Sequence, residues 1–368
     1  MVATWRLLDL GELPPISTQA VYHAVGIAVD QGLAENTIIF CSPSSPLVCL
    51  GYHQEPGIEV DVEYCRQKQL PIVRRILGGG AVYLDGDQLF YQIVVSKSEP
   101  EVPASMQEIF RKFLKAPVKT YNDIGIPASY RPLNDIEVKG RKISGNGATE
   151  IGRSAVLTGN IIFDFNFDEM TRILKVPSEK FRDKVAKTLR ERLTTIQNEL
   201  GSVPSRDSVK DLLRRNYETS LNVKLVSDEL APREKELIAS LQEEYRSHEW
   251  LYSIENQHEG IIQKRRLKLS GRAYIGEAVH KTGGGLLRVL VETLDDRIVD
   301  IMISGDFSLV PMDCLKTLES ELRGVEASRE ALIDRVKDFY SDHRVESPGM
   351  NHEDLADAII LASTQSRG

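Results

Sequence analysis

Between Thr18 and Gln31 the apolar residues of TQAVYHAVGIAVDQ recur at helical spacing, which predicts a helix with Thr18 as its N-cap. A different texture follows. Thr37–Cys41, Leu47–Leu50, Ile72–Arg75, Ala81–Leu84 and Leu89–Val95 are short β-rich runs, and Gly and Pro clusters separate them. That alternation suits a mixed sheet built from hairpins. Glu99–Leu114 predicts a helix entered through Pro100 and Pro103, and Ala155–Phe165 predicts a last strand pair.

After Asp168 the pattern turns charged, with Leu and Val at three- and four-residue spacing. Met170–Leu200, Ser208–Tyr217 and Glu229–Tyr245 predict amphipathic helices, the last closed by His248–Trp250. A second β-rich stretch then begins at Gly260–Leu269. It continues through Leu286–Thr293 and turns at Asp295-Asp296 into Arg297–Ser304. Two helices, Met312–Leu322 and Ser328–Tyr340, complete a small α+β unit. The boundaries expected are therefore a first domain over 1–245, whose helical part and linker occupy 170–245. A second domain covers 246–342, and 343–368 is a tail or small terminal helix around Leu355–Ala362.

Composition narrows the class. The chain has 368 residues, enough for about two domains. Lys+Arg number 46 against 54 Asp+Glu, a net charge of −8 that disfavours broad nucleic-acid or membrane-surface binding. Cys41, Cys49, Cys65 and Cys314 form no C-x-x-C pair, so neither a zinc site nor a disulfide framework follows, and reduced thiols are expected. Met1–Leu10 lacks a basic segment followed by an apolar one, and no run of about 18 apolar residues occurs. A cytoplasmic, monomeric protein is the expectation.

Two motifs carry candidate chemistry. The first is Arg74-Arg75-Ile76-Leu77-Gly78-Gly79-Gly80-Ala81-Val82-Tyr83. Successive glycines let backbone N–H groups approach a ligand, and the arginines offer charge for a phosphate or carboxylate. It is neither a P-loop nor a dinucleotide fingerprint, because no Gly-Lys-Ser/Thr ending and no third spaced glycine are present. The competing reading is a flexible hairpin with solvated arginines. The second motif is Asn134-Asp135-Ile136 followed by Gly140-Arg141-Lys142-Ile143-Ser144-Gly145-Asn146-Gly147. A lysine between a turn glycine and a Ser-Gly step can project from a strand edge and neutralise developing charge. An exposed basic hairpin is the plainer alternative.

In this order, the two motifs resemble those of the lipoate–protein ligase family within the biotin/lipoate ligase group. The family's R-R-x-x-G-G-G-A-V-[FY] stands as Arg74–Tyr83, and its N-D-[IL]…G-[RK]-K-[IV]-S-G as Asn134–Ile136 and Gly140–Gly145. Weaker echoes are Gly51–Gln54, Leu157–Ile161 and Thr188–Thr195, and Trp250–Tyr340 looks like the accessory domain of two-domain lipoate ligases. The resemblance implies an α/β (α+β) fold, with a mixed-sheet biotin/lipoate ligase-like catalytic domain and a small α+β accessory domain. It implies an ATP-dependent lipoate–protein ligase. Lipoate and Mg2+·ATP would give lipoyl-AMP, and the lipoyl group would pass to a lysine of a lipoyl carrier. Carriers of this kind are dehydrogenase E2 subunits, the glycine-cleavage H protein and lipoate-binding proteins of sulfur metabolism. Carried over by residue, Lys142 would be catalytic and would also touch the lipoyl-AMP. Arg75, Gly78, Gly79, Gly80, Ala81, Val82 and Tyr83 would complete the nucleotide cradle. Asn134, Asp135, Ser144 and Gly145 would support it, with Asp135 also helping to place the metal.

Two positions depart from the family pattern. Leu84 stands where the family has a histidine, and Ile76-Leu77 stand where it often has a polar residue, which predicts a more apolar pocket rim. The alternative activity is octanoyl transfer to a lipoyl carrier through a cysteine thioester, for which no cysteine lies near Lys142 in sequence. A non-catalytic lipoyl-binding protein is the other alternative, and the G-R-G-R-x-G loop of biotin ligases is missing. Elsewhere, His53 reads as a loop histidine, and Gly283–Gly285 with His280 and Lys281 as a strand connection or, alternatively, a second anion site. Lys264-Arg265-Arg266, with Lys268 and Arg272, reads as a solvated face or a dock for an acidic carrier.

Overall fold

The computed structural model describes residues 2–265 and 272–365. The chain forms two units, Met1–Cys49 with Val60–Val73 and Val82–Ser247, and Leu50–Glu59 with Arg74–Ala81 and His248–Gly368.

The first unit opens with strands β1 (Ala3–Leu13), β2 (Thr37–Pro43), β3 (Leu47–Leu50), β4 (Ile72–Arg74), β5 (Val82–Leu84) and β6 (Gln88–Ser96). Farther along are β7 (Ser129–Arg131), β8 (Asp135–Val138), β9 (Arg141–Ser144), β10 (Asn146–Ile151), β11 (Ser154–Ile162) and β12 (Val223–Ser227). The large sheet runs β10-β11-β6-β2-β1-β12, with β1 parallel to both β2 and β12 and the other neighbours antiparallel. In β11 only Thr158 is not buried, and in β6 only Ser96, so these central strands are covered on both faces and show no alternation of buried and exposed positions. Two small sheets accompany it, β4-β3-β5 (apart from Leu50 and Arg74, which belong to the second unit) and β7-β8-β9.

The helix Ser17–Asp30 packs over β2, β6, β10 and β11, and the helix Pro232–Arg246 packs on that helix. A buried Arg6–Glu234 ion pair ties the latter to β1, with Arg6 Nη1 donating to Glu234 Oε2 at 2.9 Å. Thr18 is not the N-cap. Ile16 occupies that position without a side-chain bond, and Thr18 Oγ1 donates back to Pro15 O. The helix expected from Glu99 begins only at Met106, because the prolines lack the N–H a helix interior needs and Ser105 caps the later start. The expected strand pair over 155–165 is one strand, β11, whose partners are β10 and β6.

The second unit contains β13 (Ala273–Thr282), β14 (Gly285–Leu294) and β15 (Arg297–Gly305) as an antiparallel sheet. Helices Cys314–Leu322, Arg329–Asp342 and His352–Gln365 share its core through Leu318, Val336, Leu355 and Ile359. The segment separated on sequence grounds as a tail thus includes a core helix. The β-rich start expected over Gly260–Leu269 is a helix as far as Lys264, and 266–269 lie outside the described residues.

Candidate active site

The β8–β9 hairpin presents the lysine. Val138 pairs with Arg141, which leaves Lys139 and Gly140 as a two-residue turn with φ of 50° and 79°. Two positive φ values match the twist of a tight hairpin, and Gly140 adopts its value without a side-chain clash. Ile136 and Ile143 are buried, while Lys142 keeps 40% of its side chain exposed. Its Nζ lies 2.7 Å from Asp135 Oδ1, an atom with no aligned hydrogen bond. Asp135 therefore restrains the lysine electrostatically and leaves its N–H bonds able to turn to another acceptor. The backbone is held from the other side, where Thr194 N donates to Lys142 O at 2.8 Å.

Around this hairpin lies a polar network that the motifs alone do not disclose. Asn134 Nδ2 donates to Asn146 O at 2.6 Å, and Asn146 Nδ2 returns a bond to Asn134 O at 2.8 Å. Tyr91 Oη donates to Asn146 Oδ1 and lies 3.0 Å from Ser144 Oγ, inside the core. Asn160 Oδ1 accepts from Gly145 N at 2.9 Å, and its Nδ2 donates to Gln88 Oε1 at 2.8 Å. Gln88 Nε2 in turn donates to Tyr83 O at 3.2 Å. Through Asn160 and Gln88, the Ser-Gly step after Lys142 is thus joined to Tyr83 of the glycine motif. Asn134, Ser144 and Gly145 are members of this scaffold. Asn146 stands inside the second motif, whereas Gln88, Tyr91 and Asn160 lie outside both motifs. The available signal was a polar Asn160 within the apolar run AVLTGNIIF.

The glycine motif divides between the units. Val82 and Tyr83 belong to the first, where Val82 is exposed and Tyr83 buried on β5. Burial, with Asp85 nearby, pushes the Tyr83 phenol up to about 12, so it is a neutral hydrogen-bonding group. Arg75 and Gly78–Ala81 belong to the second unit. There Arg75 Nη2 donates to Gly78 O at 2.7 Å and Gly80 O at 2.9 Å, bracing the loop from within. Gly79 N donates to Phe307 O at 3.0 Å, so one of the three N–H groups is already taken. A β-carbon on Gly78 would lie 2.6 Å from Ser308 Cα, so this glycine is required by close packing.

Arg74 is not available to an anion. It is fully buried in the second unit, where Nη1 donates to Tyr52 O and Nη2 to Leu251 O, each at 2.6 Å. Ile76 and Leu77 in the second unit and Leu84 in the first are buried, so these departures from the family pattern face cores and not a pocket rim. His53 stacks on Phe307 at 4.8 Å, and burial with the Arg74 charge lowers it to about 3, leaving a neutral ring. Thr282 pairs with Gly285, so the second glycine triplet lies at the β13–β14 hairpin. The described residues of the basic run form ion pairs, Lys264 with Glu292 at 2.7 Å, Arg265 with Glu277, and Arg272 with Asp295 at 3.0 Å. Arg266 and Lys268 lie outside the described residues.

Two further chemistries can be weighed. All four cysteines are buried free thiols. Burial raises Cys41 far above its ordinary value, Cys65 to about 11 and Cys314 to about 12, which opposes thiolate nucleophilicity. Among the described residues no three His, Cys, Asp or Glu side chains gather as a metal cage. A magnesium ion held chiefly by substrate phosphates needs only one or two carboxylates, and Asp135 places one 2.7 Å from the Lys142 ammonium.

Comparison with known proteins supplies the family. The sequence model of the lipoyl protein ligase A/B catalytic domain matches residues 16–218, more than half of the chain. The chain belongs to this family. Among relatives of the lipoyl ligase domain, an octanoyltransferase LipM from Kyrpidia tusciae is 28% identical over 271 residues, covering 68% of this chain and 98% of its own. A solved bi-partite lipoate protein ligase from Thermoplasma acidophilum, studied with its E2 lipoyl domain, is 27% identical. It covers 68% of this chain and 96% of its own, with a TM-score of 0.61. P. falciparum LipL1 in complex with lipoate is 14% identical and covers 97% of this chain and 99% of its own. Its TM-score of 0.69 shows a shared fold over both units. The mixed α/β architecture expected from the motifs is therefore that of a lipoyl-ligase-family enzyme.

Proposed function

We propose that this enzyme attaches a lipoyl or octanoyl group to a lysine of a lipoyl carrier domain, activating the free acid with ATP. In the first step a carboxylate oxygen of the acid attacks the α-phosphorus and pyrophosphate leaves. In the second, the carrier amine attacks the acyl carbonyl, AMP leaves, and the amine gives up its proton. The observation that carries this reading is Lys142, restrained 2.7 Å from Asp135 yet 40% exposed, in a unit whose cysteines are all buried. A fixed ammonium can draw the carboxylate and α-phosphate together and neutralise charge as it forms. For the nucleotide, Val82 and Tyr83 are the residues proposed in the first unit, and the Gly78–Ala81 loop braced by Arg75 is the element proposed in the second. Magnesium would enter with the nucleotide, held by its phosphates and by Asp135, and would supply charge neutralisation at the phosphates.

A second reading is octanoyl transfer from an acyl carrier without ATP. The names of the LipM relatives favour it, whereas the buried cysteines give it no ready thioester. The deciding assay is lipoate- or octanoate-dependent ATP–pyrophosphate exchange, followed by a mass shift on an apo lipoyl domain. Exchange is expected with wild type, and Lys142→Ala is expected to lose roughly 100-fold or more of it. No exchange, together with octanoyl transfer from octanoyl-acyl carrier protein, would hand the site to the second reading.

A further inference from the structure

The helix Glu179–Arg192 buries none of its residues. Its sequence carries six basic residues against Glu179, Asp183 and Glu191, a local positive excess in a chain of net charge −8. Part of that charge is engaged at home, since Arg182 donates to Thr171 O at 2.8 Å and Arg190 to Asp168 Oδ1 at 2.6 Å. Lys187 sits 3.9 Å from Glu191, both well exposed, a spacing that contributes little. Lys180 and Lys184 have no ion-pair partner among the described residues. Lys180, Lys184 and Lys187 fall at i, i+4 and i+7 and so share a face. Beside them Phe181 is 52% exposed.

Position gives this surface its meaning. The helix runs directly into Leu193, which bridges to Lys142, and the next residue donates its N–H to the Lys142 carbonyl. A 14-residue helix is a rod of roughly 21 Å, comparable with one side of a small domain. A protein that delivers a lysine to an acyl group held at Lys142 has to lie over the elements flanking that residue.

We propose that the helix Glu179–Arg192 is the docking surface for an acidic face of the lipoyl carrier domain, a proposal that rests on the acyl transfer set out above. Lys180, Lys184 and Lys187 steer the carrier by charge, and Phe181 is the apolar anchor at the edge of that lysine stripe. A membrane surface fits less well, because a helix lying in lipid needs a broad apolar face, and here Val185 and Leu189 are already half-buried. Asp183 and Glu191 interrupt the charge in a way that does not suit a phosphate backbone.

The test uses the full chain and a recombinant apo lipoyl domain of net negative charge. K180E/K184E/K187E and, separately, Phe181→Ala are compared with wild type in carrier binding without ATP, transfer KM for the carrier, and carrier-free pyrophosphate exchange. The triple variant is expected to raise carrier Kd and KM at least tenfold, about 1.4 kcal/mol, and to lose the salt dependence of wild-type binding. Carrier-free exchange and thermal midpoint stay unchanged, and a carrier with acidic residues replaced by lysine recovers binding to the triple variant. Unaltered carrier Kd in the triple variant overturns the proposal. So does wild-type binding of RNA, or of phosphatidylserine vesicles, that the triple variant loses while keeping the carrier. Carrier binding lost in the triple variant supports the surface even where wild type shows no exchange, a result that sinks the ligase activity alone.

Discussion

A β-carbon at Gly159 would overlap Asn146 Oδ1 and lie 2.5 Å from the ring of Tyr91. Those are the groups that hold the Asn134–Asn146 clasp next to the lysine hairpin. Gly159→Ala is therefore expected to destabilise the first unit by about 1–3 kcal/mol through overpacking, read as a lower denaturant midpoint. It should also slow acyl activation, because Ser144 and Asn146 shift with Tyr91. Lys142→Ala has the opposite profile. Its ammonium is partly solvated and makes one ion pair, so activity falls while the denaturant midpoint holds within about 0.5 kcal/mol. At this scale the sequence disclosed the lysine and its turn glycine, since both belong to one short hairpin. It did not disclose Gln88, Tyr91 or Asn160, because their polar atoms become partners of the hairpin only when β6 and β11 pair.

Among elements, the doublet Arg74-Arg75 shows how adjacent identical residues acquire different work. Arg75 braces the glycine loop, and Arg74 is enclosed by carbonyls of Tyr52 and Leu251 while Trp250 Nε1 donates to its own carbonyl at 2.8 Å. Glu255, on the helix Ser253–Gln257, belongs to the same surroundings. Burial raises its carboxyl from 4.5 to about 7, against the pull of Arg74. The folded second unit thus holds this proton more tightly than the unfolded chain does. Its contribution to stability is complete below pH 4.5 and is lost as pH rises through about 7. Thermal midpoints should fall across that window, and Glu255→Gln should flatten the fall. An undiminished slope in the variant would assign it to another group.

For the whole molecule, the cysteines separate the two readings of activity. None is exposed, and the three with a defined shift are all pushed upward by burial. Iodoacetamide applied under native conditions is expected to leave carrier acylation unchanged, and so is replacement of all four cysteines by alanine wherever the variant folds. Inactivation by the reagent with protection by octanoyl-acyl carrier protein would instead favour a thioester route. Net charge behaves in the same averaged way. A total of −8 conceals the basic helix Glu179–Arg192, whereas the conspicuous run at Lys264-Arg265 is paired with Glu292 and Glu277.

What the sequence determined by itself was short in range. Helical and strand periodicities, the Lys139-Gly140 turn and the spacing of the two motifs all act over a few residues, and they were enough to reach the family. Tertiary structure decided which charges are solvated, which are paired and which are enclosed. It also added β12 as a parallel partner of β1 and brought the segment after Ser341 into a core. The reason is physical. Burial and ion pairing depend on groups far apart in the chain, as with Arg74 and Leu251, and no local pattern records which distant residue will arrive.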